Sequence, residues 1–446
     1  MTDRHIVGPG NGRRLVRCGG AMIALLLASV ASVASVAPFS QASAQESAQA
    51  AAQAAAQSAV QGDTALVVAL GSGPVWDIDV LSYETHTRVQ HFVGLFSGKV
   101  RAEFEKSLQR QTRYGALIRQ KLRAAGLPED MTYLALIESW YDPNAFSKAA
   151  AVGIWQFMAG TGRGVGLRVD WWVDERRDPV RSTEGAVRLL SGLRAQFGSL
   201  YLAAAAYDGG DGRVSRGLVR YAGRLDGVEG EDRFFSLAET KFLRPETRDY
   251  VPKIIAAALV GKDPSRYGVK VESLPPLAFD TVRVAGATPL AAVANAAGTA
   301  AEAVHELNLH LLRGMTPPGD PSWVRVPVGT AGGFDERFAA LDPEERTAVK
   351  RVTTRKGESM SSIARAHGLT AKQLGWYNPK AVRLKSGSLA TGQSILVPTR
   401  ETVRVAAEVP NPSLERYPHH PKAAAKGRPV ASAKKPAQPA RKKATH

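Results

Sequence analysis

Apolar positions recur at helical spacing through the middle of the chain. In "VRAEFEKSLQRQTRYGALIRQKLRAAG", from Val100 to Gly126, they fall on one helical face with mixed charge on the other. "LPEDMTYLALIESWY" puts Pro128 at a helix start and must end before Pro143, because a residue preceding proline resists the α conformation. "RSTEGAVRLLSGLRAQFG", "YLAAAAY" and "PETRDYVPKIIAAALV" read as further helices. Strand signals are few here, so one all-α domain is expected over 76–270.

The texture then changes. "FDTVRVAGATPLAAVANAAGTAAEAVHELN" and "VKRVTTRKGESMSSIARAHGLTAKQLGWYN" match at an offset of 70 positions. Val282, Leu290, Val293, Ala294, Gly298, Val304 and Asn308 map onto Val352, Met360, Ile363, Ala364, Gly368, Leu374 and Asn378. Each copy closes with a Val-Pro strand, "VRVPV" or "ILVP". The order is strand, helix, helix, strand, twice over, a duplicated supersecondary unit. The copies are expected at 279–328 and 349–398.

With 446 residues, 44% of them apolar, the chain is too long for one ordinary domain. The 58 Lys and Arg against 41 Asp and Glu give a formal charge of +17, which favours a polyanionic partner. No zinc-finger spacing and no nucleic-acid motif is present, so nucleic acid is not expected. Arg13, Arg14 and Arg17 precede an apolar run from Ala21 to Ala37, and Ala42-Ser43-Ala44 follows as a small-residue cleavage site. That is the layout of a secretory signal peptide over 1–44, with an uncleaved anchor as the other reading. Cys18, the single cysteine, would leave with the signal, so no lipidated first residue, disulfide or thiolate metal site is expected. Metals and cofactors are not called for. An Ala/Gln-rich lead-in occupies 45–75. A basic Pro/Ala/Lys/Arg tail over 405–446 is too poor in apolar residues to fold. It is either a solvated charge run or a tether to an anionic envelope surface.

Within "DMTYLALIESWYDPNAFSKAAAVGIWQFM" one acid, Glu138, stands at the end of an apolar helix behind Leu134, Ala135, Leu136 and Ile137. Desolvation and the negative end of the helix dipole both push its pKa upward. A carboxylic acid kept protonated near neutrality suits a general acid for glycosidic cleavage. A Glu paired with a nearby base, or facing solvent, is the plainer alternative.

The motifs around Glu138 decide between these. Glu138-Ser139, then Ser147, then Gly153-Ile154-Trp155-Gln156-Phe157-Met158, and far downstream Ala206-Tyr207, resemble the ordered motifs of the soluble-lytic-transglycosylase type of lytic transglycosylases, in the lysozyme-like superfamily. The likeness extends from Trp76 to Tyr267. It implies a mainly α, lysozyme-like catalytic domain that cuts between N-acetylmuramic acid and N-acetylglucosamine of peptidoglycan strands. Glu138 would be the single acid/base. It would protonate the glycosidic oxygen, then accept the proton of the muramoyl C6 hydroxyl as that oxygen attacks C1, leaving a 1,6-anhydro end. By the same resemblance Ser139, Ser147 and Gln156 would contact the sugar, and Phe157 and Met158 would line the cleft. Tyr207 would orient or bond Glu138, with Tyr250 stacking or bonding nearby.

Two positions depart from the family pattern. Asp208 stands where the family has Asn, which removes an amide donor and adds a charge able to raise the Glu138 pKa. Ala150 replaces a glycine usual in the loop. Two rival functions follow: a muramidase-type hydrolase, and a catalytically silent wall-binding protein. The second copy of the repeat resembles a LysM module. That implies binding of N-acetylglucosamine between its first strand–helix loop and its second helix–strand loop. The first copy reads as a degenerate LysM-like version, with Ala287 where the motif has Gly. Both small modules are α+β. An exported, periplasmic or envelope protein is the expected setting.

Overall fold

The computed structural model describes residues 74–413. The signal segment, the Ala/Gln stretch up to Gly73 and the tail beyond Ser413 lie outside the described residues. The helical domain comprises α1 (Thr87–Ser97), α2 (Arg101–Ala124), α3 (Thr132–Ser139), α4 (Ala159–Gly164), α5 (Pro179–Phe197), α6 (Leu200–Gly209), α7 (Asp211–Arg220), α8 (Asp232–Glu239) and α9 (Pro245–Lys262).

The core follows from the patterning. In α6 every residue from Leu200 to Ala206 is buried, and α9 buries an unbroken run from Ile254 to Val260. Helices apolar on all sides belong at the centre of a domain, and α9 packs on α1, α6 and α3 there. Each fully buried aliphatic side chain contributes about 1.5–3 kcal/mol over an exposed one.

The helix ends are fixed by local chemistry. Asp178 caps α5 by accepting from the amides of Val180 and Arg181, with Pro179 at the first turn and Gly198 left-handed at the other end. Ser199 caps α6 and accepts from Leu202. The Glu231 carboxylate adds to that end, accepting from the amides of Leu200 at 2.8 Å and Tyr201 at 2.7 Å. These bonds satisfy N–H groups that a helix start leaves open.

The two copies of the repeat have the expected order. The first is β1 (Asp280–Val284), α10 (Leu290–Ala297), α11 (Ala301–Leu307) and β2 (Ser322–Val326). After a linking helix, α12 (Phe334–Ala340), the second is β3 (Val349–Thr353), α13 (Met360–Ala366), α14 (Ala371–Tyr377) and β4 (Ser394–Pro398). Each sheet is one antiparallel pair, with Val282 opposite Val324 and Val352 opposite Ile395. The matched asparagines do the same work. Asn308 Nδ2 donates to the carbonyls of Val304 and Arg325, both at 2.7 Å, and its Oδ1 accepts from the Arg325 amide at 3.0 Å. Asn378 bonds Leu374 at 2.9 Å and Leu396 at 2.7 and 2.8 Å in the same pattern. Ala287 keeps the backbone of the glycine it replaces: its φ is +64°, against +83° at Gly357, 70 positions on. Here an L-residue occupies a left-handed position that glycine reaches freely.

Helix α3 ends at Ser139, before Pro143, and the stretch after it is a loop tied by bridges between Phe146 and Val152 and between Val152 and Phe157. One expectation changes. The basic tail was expected from 405, but α15 (Arg400–Glu408) runs through that boundary and buries Val403 and Ala406. The guanidinium of Arg313 explains the difference. It donates to the carbonyls of Ala406 at 2.7 Å, Val409, and Pro410 at 3.3 Å, a long-range anchor that composition cannot reveal. Among the described residues, no helix is long and apolar enough to cross a membrane.

Candidate active site

Helix α3 carries Glu138 in its last turn and ends at Ser139. Trp140 and Tyr141 then both adopt φ of +57°. Two consecutive non-glycine residues in this region cost about 1–2 kcal/mol each, and such strain persists only where the surroundings impose it. They do here. The Tyr141 hydroxyl donates to the Thr132 carbonyl at 2.6 Å. Gln111 Nε2 donates to that hydroxyl at 3.2 Å, and Arg110 donates to the Trp140 carbonyl at 3.0 Å.

Glu138 is half-buried. Its Oε1 accepts from the hydroxyl of Tyr250 on α9. Burial pushes the Glu138 pKa up to about 8; the Tyr250 bond opposes that, while the charges of Asp208 and Glu246 reinforce it and Lys253 opposes it. The dominant cause is desolvation of the charged form. Burial also holds the Tyr250 hydroxyl well above its ordinary range, so it remains a donor. Asp208, on α6, is itself raised by burial, with Thr247 lowering it.

The loop 145–157 is tied to α3, the helix of this acid, by the bond from Ser139 to the Ile154 carbonyl. Ser147 is half-buried; its Oγ accepts from the Ala151 amide at 3.0 Å. Gln156 is half-buried with φ of +48°. Its Nε2 donates to the Gly153 carbonyl at 2.8 Å. Phe157 is buried and its ring lies 6.0 Å from that of Tyr207. Met158 is half-buried just before α4. Ala150 has φ of +65°, so the loop preserves a glycine-type turn with an alanine in it.

Two expected contacts are differently placed. The Tyr207 hydroxyl donates to the Trp155 carbonyl at 2.7 Å, so the tyrosine bonded to Glu138 is Tyr250. The Ser139 hydroxyl is buried and donates to the Ile154 carbonyl at 2.8 Å; it ties helix to loop instead of facing a ligand. Both side chains are used up internally because the loop needs anchors on each side.

Sequence reasoning missed three groups. Glu246 and Lys253 share one face of α9 with Tyr250, at i−4 and i+3, and a helical projection from Tyr250 would have found them. Phe146, 58% exposed, lies in the loop beside Ser147; its sequence context carries no signal of that exposure. Among the described residues, no group of three or more His, Cys, Asp or Glu is placed to hold a metal ion.

Three stretches of the chain match known domain families. Residues 116–226 match the transglycosylase SLT domain, 278–342 the LysM-like domain of lytic transglycosylase MltD, and 352–398 the LysM domain. The chain thus combines an SLT domain with an MltD-type LysM-like domain and a LysM domain, and the expected class of a mainly helical domain followed by two small α+β modules holds. It is homologous to membrane-bound lytic murein transglycosylase D of Escherichia coli (strain K12), at 31% identity over 289 residues, 62% of this chain and 61% of that protein. The chain therefore spans about three fifths of that relative's length. It is also similar to peptidoglycan transglycosylase gp16 of Escherichia phage T7, at 36% identity over 104 residues, 23% of this chain and 8% of that one. The solved 70 kDa soluble lytic transglycosylase of Escherichia coli aligns at 21% identity over 42% of this chain and 29% of that chain, with a TM-score of 0.31.

Proposed function

We propose that the chain is an exported peptidoglycan lytic transglycosylase. Its catalytic domain spans 76–270, its degenerate LysM-like module 279–328, and its glycan-binding LysM module 349–398. The observation that carries the reading is Glu138, an acid with its pKa raised to about 8 and a tyrosine hydroxyl on its Oε1, inside a match to the SLT domain.

At neutral pH this acid is mostly protonated and can give its proton to the glycosidic oxygen between N-acetylmuramic acid and N-acetylglucosamine. The resulting carboxylate, stabilised by the Tyr250 hydroxyl, then accepts the proton of the C6 hydroxyl as that oxygen attacks C1 of the same sugar. The product is a 1,6-anhydro end, and no water is consumed. Ordinary glycosidases need a second carboxylate as nucleophile or as base for water. An attacking hydroxyl on the same ring is already close, so one group suffices. Ser147 and Gln156 supply polar contacts to the sugar beside the scissile bond, with Phe157 and Met158 shaping the cleft. The basic tail holds the protein near an anionic envelope surface.

Mass spectrometry of products from purified sacculi tests this. Anhydro-muropeptides are the expected result; reducing-end muropeptides would support a hydrolase, and no release would support a silent binder.

The charge of Asp208 raises the Glu138 pKa, and Asp208 is itself raised by burial. Asp208→Asn is expected to retain anhydro products and to move the alkaline limb of the rate–pH profile to lower pH, since removing a neighbouring negative charge eases ionisation of Glu138. An unmoved limb would show that Asp208 does not act on Glu138.

A further inference from the structure

The segment between α4 and α5 touches both LysM-type modules and the 145–157 loop. On the module side, Val173 bridges Leu311, the Asp174 amide donates to the His310 carbonyl at 3.0 Å, and the Leu312 amide donates to the Trp172 carbonyl at 3.1 Å. Arg325 of β2 reaches Asp178 at 2.8 and 3.0 Å. The Trp171 ring lies between the Arg313 guanidinium, 3.8 Å from its centroid, and the stacked ring of Trp376 at 4.2 Å. Trp172 Nε1 donates to the Trp376 carbonyl at 3.1 Å.

On the other side stands Arg176, 2% exposed. It is paired with Asp174 at 2.8 and 2.9 Å and donates to the carbonyls of Phe157 at 2.9 Å and Ala150 at 3.3 Å. A buried guanidinium with one carboxylate partner fixes its remaining bonds in direction, because its planar fork cannot re-aim freely. Arg176 lies two residues after Asp174, which belongs to both sides.

The two modules differ at this joint. In the first, the α11–β2 loop, which by the LysM resemblance borders the glycan groove, is occupied by residues 172–174 of this same chain. In the second, the corresponding loop leaves Val382 and Leu384 exposed, at 59% and 50%.

We infer that residues 169–178 form a brace through which the first LysM-like module holds the 145–157 loop in place beside Glu138, with Arg176 as its positioning residue. The first module has exchanged a glycan-facing loop for support of the cleft, and the second keeps an open loop. The functional part of this inference rests on the transglycosylase reading; the mechanical part does not.

Hydrogen exchange of the full chain separates the two. Arg325→Ala, remote from Glu138 in sequence and seated in the first module, is expected to speed amide exchange across 145–157 at least tenfold while α9 is unchanged. On a soluble glycan tetrasaccharide too short to engage the modules as well as the cleft, it is expected to lower kcat about tenfold with little change in KM. Arg325→Lys, which keeps one charged bond to Asp178, should recover part of both losses, and it serves in place of the alanine variant if that fails to fold. Unchanged exchange across 145–157 in both variants would overturn the brace. A wild-type chain that cleaves nothing would remove the transglycosylase reading while the exchange result still decides the brace.

Discussion

Glu138→Gln is expected to abolish release of glycan fragments from sacculi, by at least about a thousandfold given the usual size of general acid–base contributions and the double duty of this one group. Binding to sacculi should persist, because the LysM modules are untouched. The same variant should be more stable than wild type at high pH. Glu138 has its folded pKa raised to about 8, so the folded state holds a proton that the unfolded state has lost. Its stabilising effect is complete below the ordinary carboxylate pKa and disappears as pH rises through about 8. Glutamine resembles the protonated acid and carries no such dependence. The expected gain is on the order of 2 kcal/mol at pH 9 and near zero at pH 4, discounted for the open side of the cleft. Denaturant titration at the two pH values reads it. Retained cleavage by the variant would sink the catalytic assignment, and a pH-independent stability difference would sink the account of the raised pKa.

Gly153→Ala is the second large effect. Gly153 has φ of +82°, and a methyl group there would come within 1.9 Å of the Arg176 carbonyl oxygen. That neighbour is backbone, so it cannot swing away, and the left-handed conformation adds its own penalty. The variant is expected to lose roughly 2–5 kcal/mol of stability through steric overlap plus backbone strain, and most of its activity through displacement of Gln156. Urea unfolding with parallel assay of sacculus digestion measures both. A midpoint within error of wild type would mean that the loop and the brace separate at little cost.

The sequence exposed what depends on local periodicity and concealed what depends on distance. Helices α2, α3 and α5 were visible from apolar positions at helical spacing, α6 and α9 from apolar runs, and Pro128 and Pro143 bracket the helix that ends at Ser139. Asn308 and Asn378 were visible as a matched pair because a duplicated unit writes its own alignment. The gathering of Tyr250 and Asp208 around Glu138 depends on how α9 and α6 lie against α3, and no pattern within α3 specifies which of two tyrosines supplies the hydroxyl. The competition was settled by the Trp155 carbonyl, which claims Tyr207. Short helices with little apolar content, such as α7 and α15, gave weak signals. They are held by tertiary contacts: Val214 buried, Gly217 against Phe242 and Leu237, and the α15 carbonyl of Ala406 held by Arg313.

The paired asparagines carry one more meaning. Each closes its module by bonding only main chain, on the second helix and the returning strand, so the unit's integrity is independent of what its loops contact. A duplicated module secured in this way is free to diverge at its rim. One copy can pack its loop against a neighbouring domain while its twin keeps that loop open.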